Sequence, residues 1–254
     1  MTLLHRLLFG TPAARAEADA EGASAVTRSR AVDADEKEAR RVAILDAAAR
    51  LFDASGELSN VADIAHAAGL AKGTVYLYFP TKEAVYLALH QRQLDAFFVE
   101  LCERLSAPGS FSVSDMAEMA RAHFLRDRGY MPLCAFCMGF AADAVPESVW
   151  CEFHDGLGRH LMTAGAGIER RWPHLAPGEG LRLLKHSYAL MVGLFHLIGE
   201  HSGHGHRAKT ARPALTGIGS YEDEALIALF RYWTAVVGAD AMPLPMRDQL
   251  SRSS

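Results

Sequence analysis

The segment VADIAHAAGLAKGTVYLYFPTKEAVYLAL, from Val61 to Leu89, leaves less conformational freedom than any other stretch of the chain. Val61, Ile64, Ala65 and Ala68 recur at helical spacing and form one apolar face. Gly69 stands where the chain must reverse, because glycine accepts the positive φ that so tight a turn demands. Leu70 fills the angle after the turn, and Val75 and Phe79 anchor a second short helix from beneath. Pro80 breaks the chain, and Thr81 caps a long helix running to about Leu105. Upstream, Ile44, Ala48, Leu51 and Phe52 place a further helix over about Lys37 to Ser55, closed by Gly56.

Once the anchors are turned inward, Ala71, Lys72, Gly73, Thr74, Tyr76, Leu77 and Tyr78 are left to look outward. Their chemistry suits the major groove of DNA. Lys72 meets a phosphate or a guanine edge, and Thr74 hydrogen-bonds a phosphate or packs its methyl on thymine. Gly73 lets backbone approach backbone, and its amide adds to the positive end of the helix. Tyr76 and Tyr78 offer hydroxyls to phosphates, and Lys82 supplies a cation at the start of the next helix. Charge is no obstacle: the chain carries a net −4, but Lys37 to Lys82 holds six cations against five anions. DNA affinity depends on the few phosphates a protein meets, so placement decides.

The rest of the chain reads as helix. Predicted helices run from Ser112 to Arg128, Pro132 to Ala144, Pro146 to Arg171, Pro177 to His201 and Tyr221 to Val237, each opening near a Pro, Ser or Gly signal. No period-two segment competes, so the predicted class is all-α: a three-helix DNA-binding domain with a helix-turn-helix, plus a larger helical domain. The expected division is a flexible extension over 1–36, the helix-turn-helix domain over 37–82 and the larger domain over 83–254. The extension carries Arg28 and Arg30, a basic arm were it not for the interspersed acids.

The tract AHAAGLAKGTVYLYFPTKEAVY resembles the signature of the TetR family of bacterial repressors, in which YxYFxxKE closes the recognition helix. Tyr76, Tyr78, Phe79, Lys82 and Glu83 match that tract, and Ile64, Ala65, Gly69, Gly73 and Thr74 match the portion before it. Family members commonly place Thr at the cap of the helix before the turn, contacting a phosphate; this chain has Asn60, which caps equally well. The resemblance implies a homodimeric repressor on a palindromic operator, released by a small effector held in the larger domain. The DNA-binding set is then Asn60, Lys72, Gly73, Thr74, Tyr76, Tyr78 and Lys82.

The effector is expected to be apolar, because the larger domain is rich in Met and aromatic residues. Phe97, Met119, His123, Phe136, Phe140, Phe153 and Tyr188 are the candidate ligand-binding residues. The dimer is expected through the last two helices, where Leu181, Leu184, Tyr188, Met191 and Phe195 form one stripe. Leu226, Leu229, Phe230, Trp233 and Val237 form another. An alternative is a metal- or thiol-sensing regulator on the same scaffold. It would use Cys134, Cys137, Cys151 and His154, or the loop carrying His201, His204 and His206. The bland reading of both is a set of buried small apolar thiols and a solvated loop. No G-x-S-x-G elbow, H-E-x-x-H, P-loop or dinucleotide fingerprint is present, so no enzyme and no cofactor are expected. No apolar run reaches the roughly 20 residues that a bilayer crossing takes, and a cytoplasmic location without membrane partners is expected.

Overall fold

The computed structural model describes residues 35–109, 111–126, 129–141, 143–199 and 219–238. Most of the expected N-terminal extension, with Arg28 and Arg30, and the loop with His201, His204 and His206 lie outside these. The described residues are helical and contain no strand, so the all-α class stands. None of the described helices is long and apolar enough to cross a membrane. The chain divides into two compact units, Met1–Ile44 and Leu45–Ser254. Of the first, the described part is helix over 35–44, held on its surface by an Arg40–Glu36 pair at 3.0 Å.

The first described helix, α1, covers residues 35–55 and buries Leu45, Ala48 and Phe52. Helices α2 (Val61–Ala67) and α3 (Lys72–Tyr76) form the hairpin. Gly69 turns between them at φ +68°, the left-handed backbone that its sequence position requires. Helix α4 (Lys82–Ser106) follows at once, with Thr81 Oγ1 accepting from the Ala84 amide at 3.0 Å as its N-cap.

Helix α5 (Val113–Ala120) opens with a reciprocal Ser112–Asp115 capping box. It then widens into a π-turn over Arg121–Leu125, where the Arg126 amide reaches back five residues to Arg121 O at 2.9 Å. Nothing in the sequence marks this turn. A regular helix over Ser112 to Arg128 is what the periodicity predicts. The wider turn leaves the His123 carbonyl to accept from Gln93 Nε2 of α4 at 2.7 Å. It also sets His123 Nε2 2.8 Å from Glu100.

Helix α6 spans Tyr130–Met138, shorter than its predicted reach to Ala144, because Gly139 closes it. Helices α7 (Glu147–Arg171) and α8 (Glu179–Ile198) are long, and α9 (Tyr221–Val237) is the last described element. Helices α7 and α8 cross at two glycines. A Cβ added to Gly180 would overlap the Gly165 carbonyl oxygen, so only glycine lets the two backbones meet there. The Glu169 carboxylate completes the crossing by accepting from the Gly178 and Gly180 amides, at 2.8 and 3.1 Å.

The two stripes expected at a subunit interface are part of the chain's own core. Leu184, Met191 and Phe195 of α8 and Leu229, Phe230, Trp233 and Val237 of α9 are all buried within the single chain, and Leu181, Tyr188 and Leu226 are half-buried. A stripe alone marks burial and cannot name what buries it.

Candidate nucleic-acid interface and ligand cavity

The outward face of the hairpin is built on a firm base. Asn60 Oδ1 accepts from the Ala62 and Asp63 amides at 2.8 and 3.1 Å, while its Nδ2 donates to Asp63 Oδ2 at 2.7 Å. The side chain is therefore spent on capping α2, an arrangement that sequence alone does not distinguish from a phosphate contact. Arg50 of α1 closes the other end by donating to Ala67 O at 3.2 Å. Val75 and Phe79 are buried, as the anchoring role requires.

Against that base α3 turns its remaining side chains to solvent. Lys72 and Gly73 are exposed, and nothing stands within 4 Å of a Cβ built on Gly73. Tyr76 is 47% exposed and Leu77 81%. The Lys72 ammonium sits 5.9 Å from the centre of the Tyr76 ring, so one is positioned by the other. Thr74 and Tyr78 are half-buried at the flanks. Lys82 stands 3.8 Å from Glu83 at the start of α4.

A cavity of about 260 Å³ lies among helices α4, α5, α7, α8 and α9. Its walls are Leu94, Phe97 and Phe98 of α4, Val113, Met116, Ala117 and Ala120 of α5, and Phe124 from the π-turn. Leu157 and Leu161 of α7, residues Leu184, Lys185, Ser187, Tyr188 and Met191 of α8, and Leu229 and Trp233 of α9 complete it. Five helices spread over some 140 residues of sequence thus share one wall (Leu94 to Trp233). Of the seven candidate ligand residues, Phe97 and Tyr188 line this space. The other five stand off its wall. Met119 is buried, His123 is held by Glu100, and Phe136 lies edge-on to Phe52 at 5.9 Å. Phe153 stands 5.7 Å from His90, and Phe140 is half-buried after α6. Among the wall residues outside that set, Met116 and Phe124 belong to the Met and aromatic richness of the segment. Trp233 sits on a stripe that periodicity assigns equally to an interface.

The cysteines do not converge. Cys134 and Cys137 are buried on α6, with Cys134 Sγ 2.8 Å from Tyr188 Oη and Cys137 Sγ donating to Tyr86 O at 3.6 Å. Burial pushes the Cys134 thiol up to about 11 and the Cys137 thiol higher still, so neither is a ready thiolate. Cys151 and His154 lie exposed on α7, where His154 Nδ1 is bound to Trp150 O at 2.8 Å. Among the described residues no three His, Cys, Asp or Glu side chains are placed to hold a metal ion. The four-ligand zinc reading therefore fails on geometry: two of its members face the core and two face solvent. Cys134 and Cys137 behave as small apolar side chains.

The family model for bacterial regulatory proteins of the tetR family matches residues 44–89, the hairpin and the helices on either side of it. Over that segment the chain is similar to the TetR family. It is 32% identical over 134 residues to the HTH-type transcriptional regulator EthR of Mycolicibacterium smegmatis, a match covering 51% of this chain and 58% of that relative. Among solved structures, it resembles one from Mesorhizobium loti assigned to the TetR-family transcriptional regulators. The TM-score is 0.52 at 21% identity, over 80% of this chain and 98% of the other. It also resembles SmeT, the repressor of the Stenotrophomonas maltophilia multidrug efflux pump SmeDEF, with a TM-score of 0.50 at 20% identity over 80% and 93% of the two chains. At those identities the likeness to solved structures is one of fold. All of these relatives are described as regulators or repressors of transcription.

Proposed function

We propose that the protein is a ligand-responsive transcriptional repressor that binds a palindromic operator as a homodimer. The observation that carries this reading is the outward face of α3. A large apolar side chain 81% exposed beside a 47% exposed tyrosine, on a helix anchored by Val75 and Phe79, has no use in folding. It suits a groove whose floor carries thymine methyls and whose rims carry phosphates. In this reading Lys72, Thr74, Tyr76, Tyr78 and Lys82 meet phosphates or base edges, the Gly73 amide approaches the backbone, and Asn60 fixes the helix before the turn. The reading unit is residues 37–82 and the responding unit 83–254. Two copies joined through outward faces of α8 and α9 would set their α3 helices about 34 Å apart, one turn of DNA.

The cavity supplies the response. Helix α4 contributes its wall through Leu94, Phe97 and Phe98, and the same helix begins at Lys82, directly after the reading helix. A small apolar ligand that favours one setting of α4 shifts the population toward dimers whose α3 spacing no longer fits the operator. It does so only by its difference in affinity between the two settings. The test is fluorescence anisotropy on the DNA upstream of the protein's own gene at fixed near-physiological salt, with a scrambled duplex as competitor. The expected result is a Kd of about 10⁻⁸ M or tighter that the scrambled duplex does not displace. Equal displacement by both duplexes would sink the reading.

A further inference from the structure

The polar groups of the cavity wall are few, and their bonding state decides what the cavity accepts. Ser187 Oγ donates to Leu183 O at 2.7 Å and accepts from Trp233 Nε1 at 2.8 Å, so both side chains are satisfied. Tyr188 Oη is engaged with Cys134 Sγ at 2.8 Å. A polar group carried deep into the cavity would meet hydrocarbon and occupied partners, and would lose its water without replacement. Lys185 is different. It lines the cavity and is exposed to solvent, so it stands at the mouth. Among the described residues its ammonium has no hydrogen bond and no ion pair.

The mouth opens on the α7 side of α8. Leu181, one turn before Lys185, lies with its backbone against Gly165 of α7. His186, the next residue, turns the other way and meets Tyr232 of α9 at 2.8 Å. The mouth therefore lies away from the His186–Tyr232 contact between α8 and α9. A volume of about 260 Å³ corresponds to about nine waters at roughly 30 Å³ each, which a medium-length hydrocarbon chain fills.

We infer that the effector is a hydrophobic monocarboxylate, its hydrocarbon body in the cavity and its carboxylate at the mouth on Lys185. This rests on the ligand-responsive reading and narrows it. The anion keeps part of its hydration at the opening and gains a charge-assisted hydrogen bond, so no charge is buried unpaired. Lys185 selects the head group, and the Phe and Met walls select the body.

The test is isothermal titration calorimetry on the full chain without DNA, using decanoate below its micelle-forming concentration and decanol as the neutral counterpart. The wild type is expected to bind decanoate about fivefold more tightly than decanol, the upper end for a partly solvated ion pair. In K185M, which keeps the aliphatic stem, that preference is expected to vanish while decanol affinity holds. K185R is expected to keep the preference. Circular dichroism confirms that each variant folds. Equal binding of acid and alcohol by the wild type, an undiminished preference in K185M, or no binding of either probe would each overturn the inference. DNA anisotropy separates the two proposals: decanoate that binds with Lys185-dependent preference yet leaves DNA affinity unchanged would support the site and break the regulatory reading.

Discussion

The hairpin and the cavity solve opposite problems. Helix α3 is five residues long, buries only Val75, and leaves its larger side chains outside. The cavity domain turns Phe97, Phe124 and Trp233 inward and brings two of its helices into backbone contact at Gly165 and Gly180. The first region tolerates change wherever it does not touch DNA. The second tolerates little, because a displaced helix alters the space between five. Stability and recognition should therefore separate by region under substitution.

The largest effect is expected at the α7–α8 crossing. In Gly180→Ala the new methyl overlaps the Gly165 carbonyl oxygen, and the helices must part. A loss of about 3 kcal/mol or more in urea denaturation is expected, at the upper end for overpacking. Gly73→Ala is the matched control on the hairpin. Its methyl meets nothing within 4 Å, and helix propensity alone should raise stability by up to about 1 kcal/mol. Its cost should fall on operator affinity instead. A Gly73→Ala protein that loses stability while keeping its operator would reverse the contrast.

Acid tests the interior in a second way. His90 lies buried between the Tyr130 and Phe153 rings, at 5.5 and 5.7 Å, and its Nδ1 has no hydrogen-bond partner among the described residues. Burial pulls its pKa down to about 4 from the usual 6.5. The sign follows directly. Above the unfolded value the ring is neutral in both states and costs nothing. As pH falls from about 6.5 toward 4 the unfolded chain takes up a proton that the folded chain refuses, and stability drops. The loss approaches about 3 kcal/mol near pH 4. His90→Phe, which preserves the ring stack, should flatten that part of the curve. A variant with the wild-type slope between pH 7 and 5 would assign the acid sensitivity elsewhere.

On the hairpin, Lys72→Ala should leave the melting temperature unchanged and weaken operator binding by about tenfold. If Lys72 meets a phosphate, the slope of log affinity against log salt should fall by about one and all sequences should weaken alike. If it reads a guanine edge, specificity at one base pair should relax while the slope barely moves. The Lys72–Tyr76 contact adds a check, since Tyr76→Ala frees the ammonium without removing it.

The same difference explains how much was legible in sequence. The hairpin was readable because its determinants are local: Gly69 at the turn, Asn60 and Thr81 at caps, Val75 and Phe79 on the inner side. Each is decided within a few residues. The cavity was not, because its wall joins Leu94 to Trp233 through five helices, and periodicity says that a residue is buried without saying what it faces. Phe97 and Phe153 read alike in sequence; one lines the cavity and the other stands beside His90. Trp233 and Leu229 read as a dimer stripe and lie in the core and the cavity wall. The π-turn escaped for a related reason. Its stabilising partner, Gln93, lies 30 residues away on another helix, so no local signal marks it.

One hydrogen bond bears on whether the two regions act together. Tyr86 of α4 is fully buried against Phe52, and its hydroxyl accepts from the Ser59 amide at 2.9 Å, one residue before the Asn60 cap of α2. Tyr86→Phe keeps the ring and removes only that acceptor. A stability loss of about 1 kcal/mol is expected, the ordinary worth of such a bond. The sharper readout is amide hydrogen exchange. If α4 holds the hairpin through this bond, exchange should quicken over Val61–Ala67 and stay unchanged in α8 and α9. Operator affinity should fall less than in Lys72→Ala, since no DNA contact is lost. Uniform quickening across all helices would mean that the bond serves global stability alone, and that α4 sets the hairpin through its apolar packing.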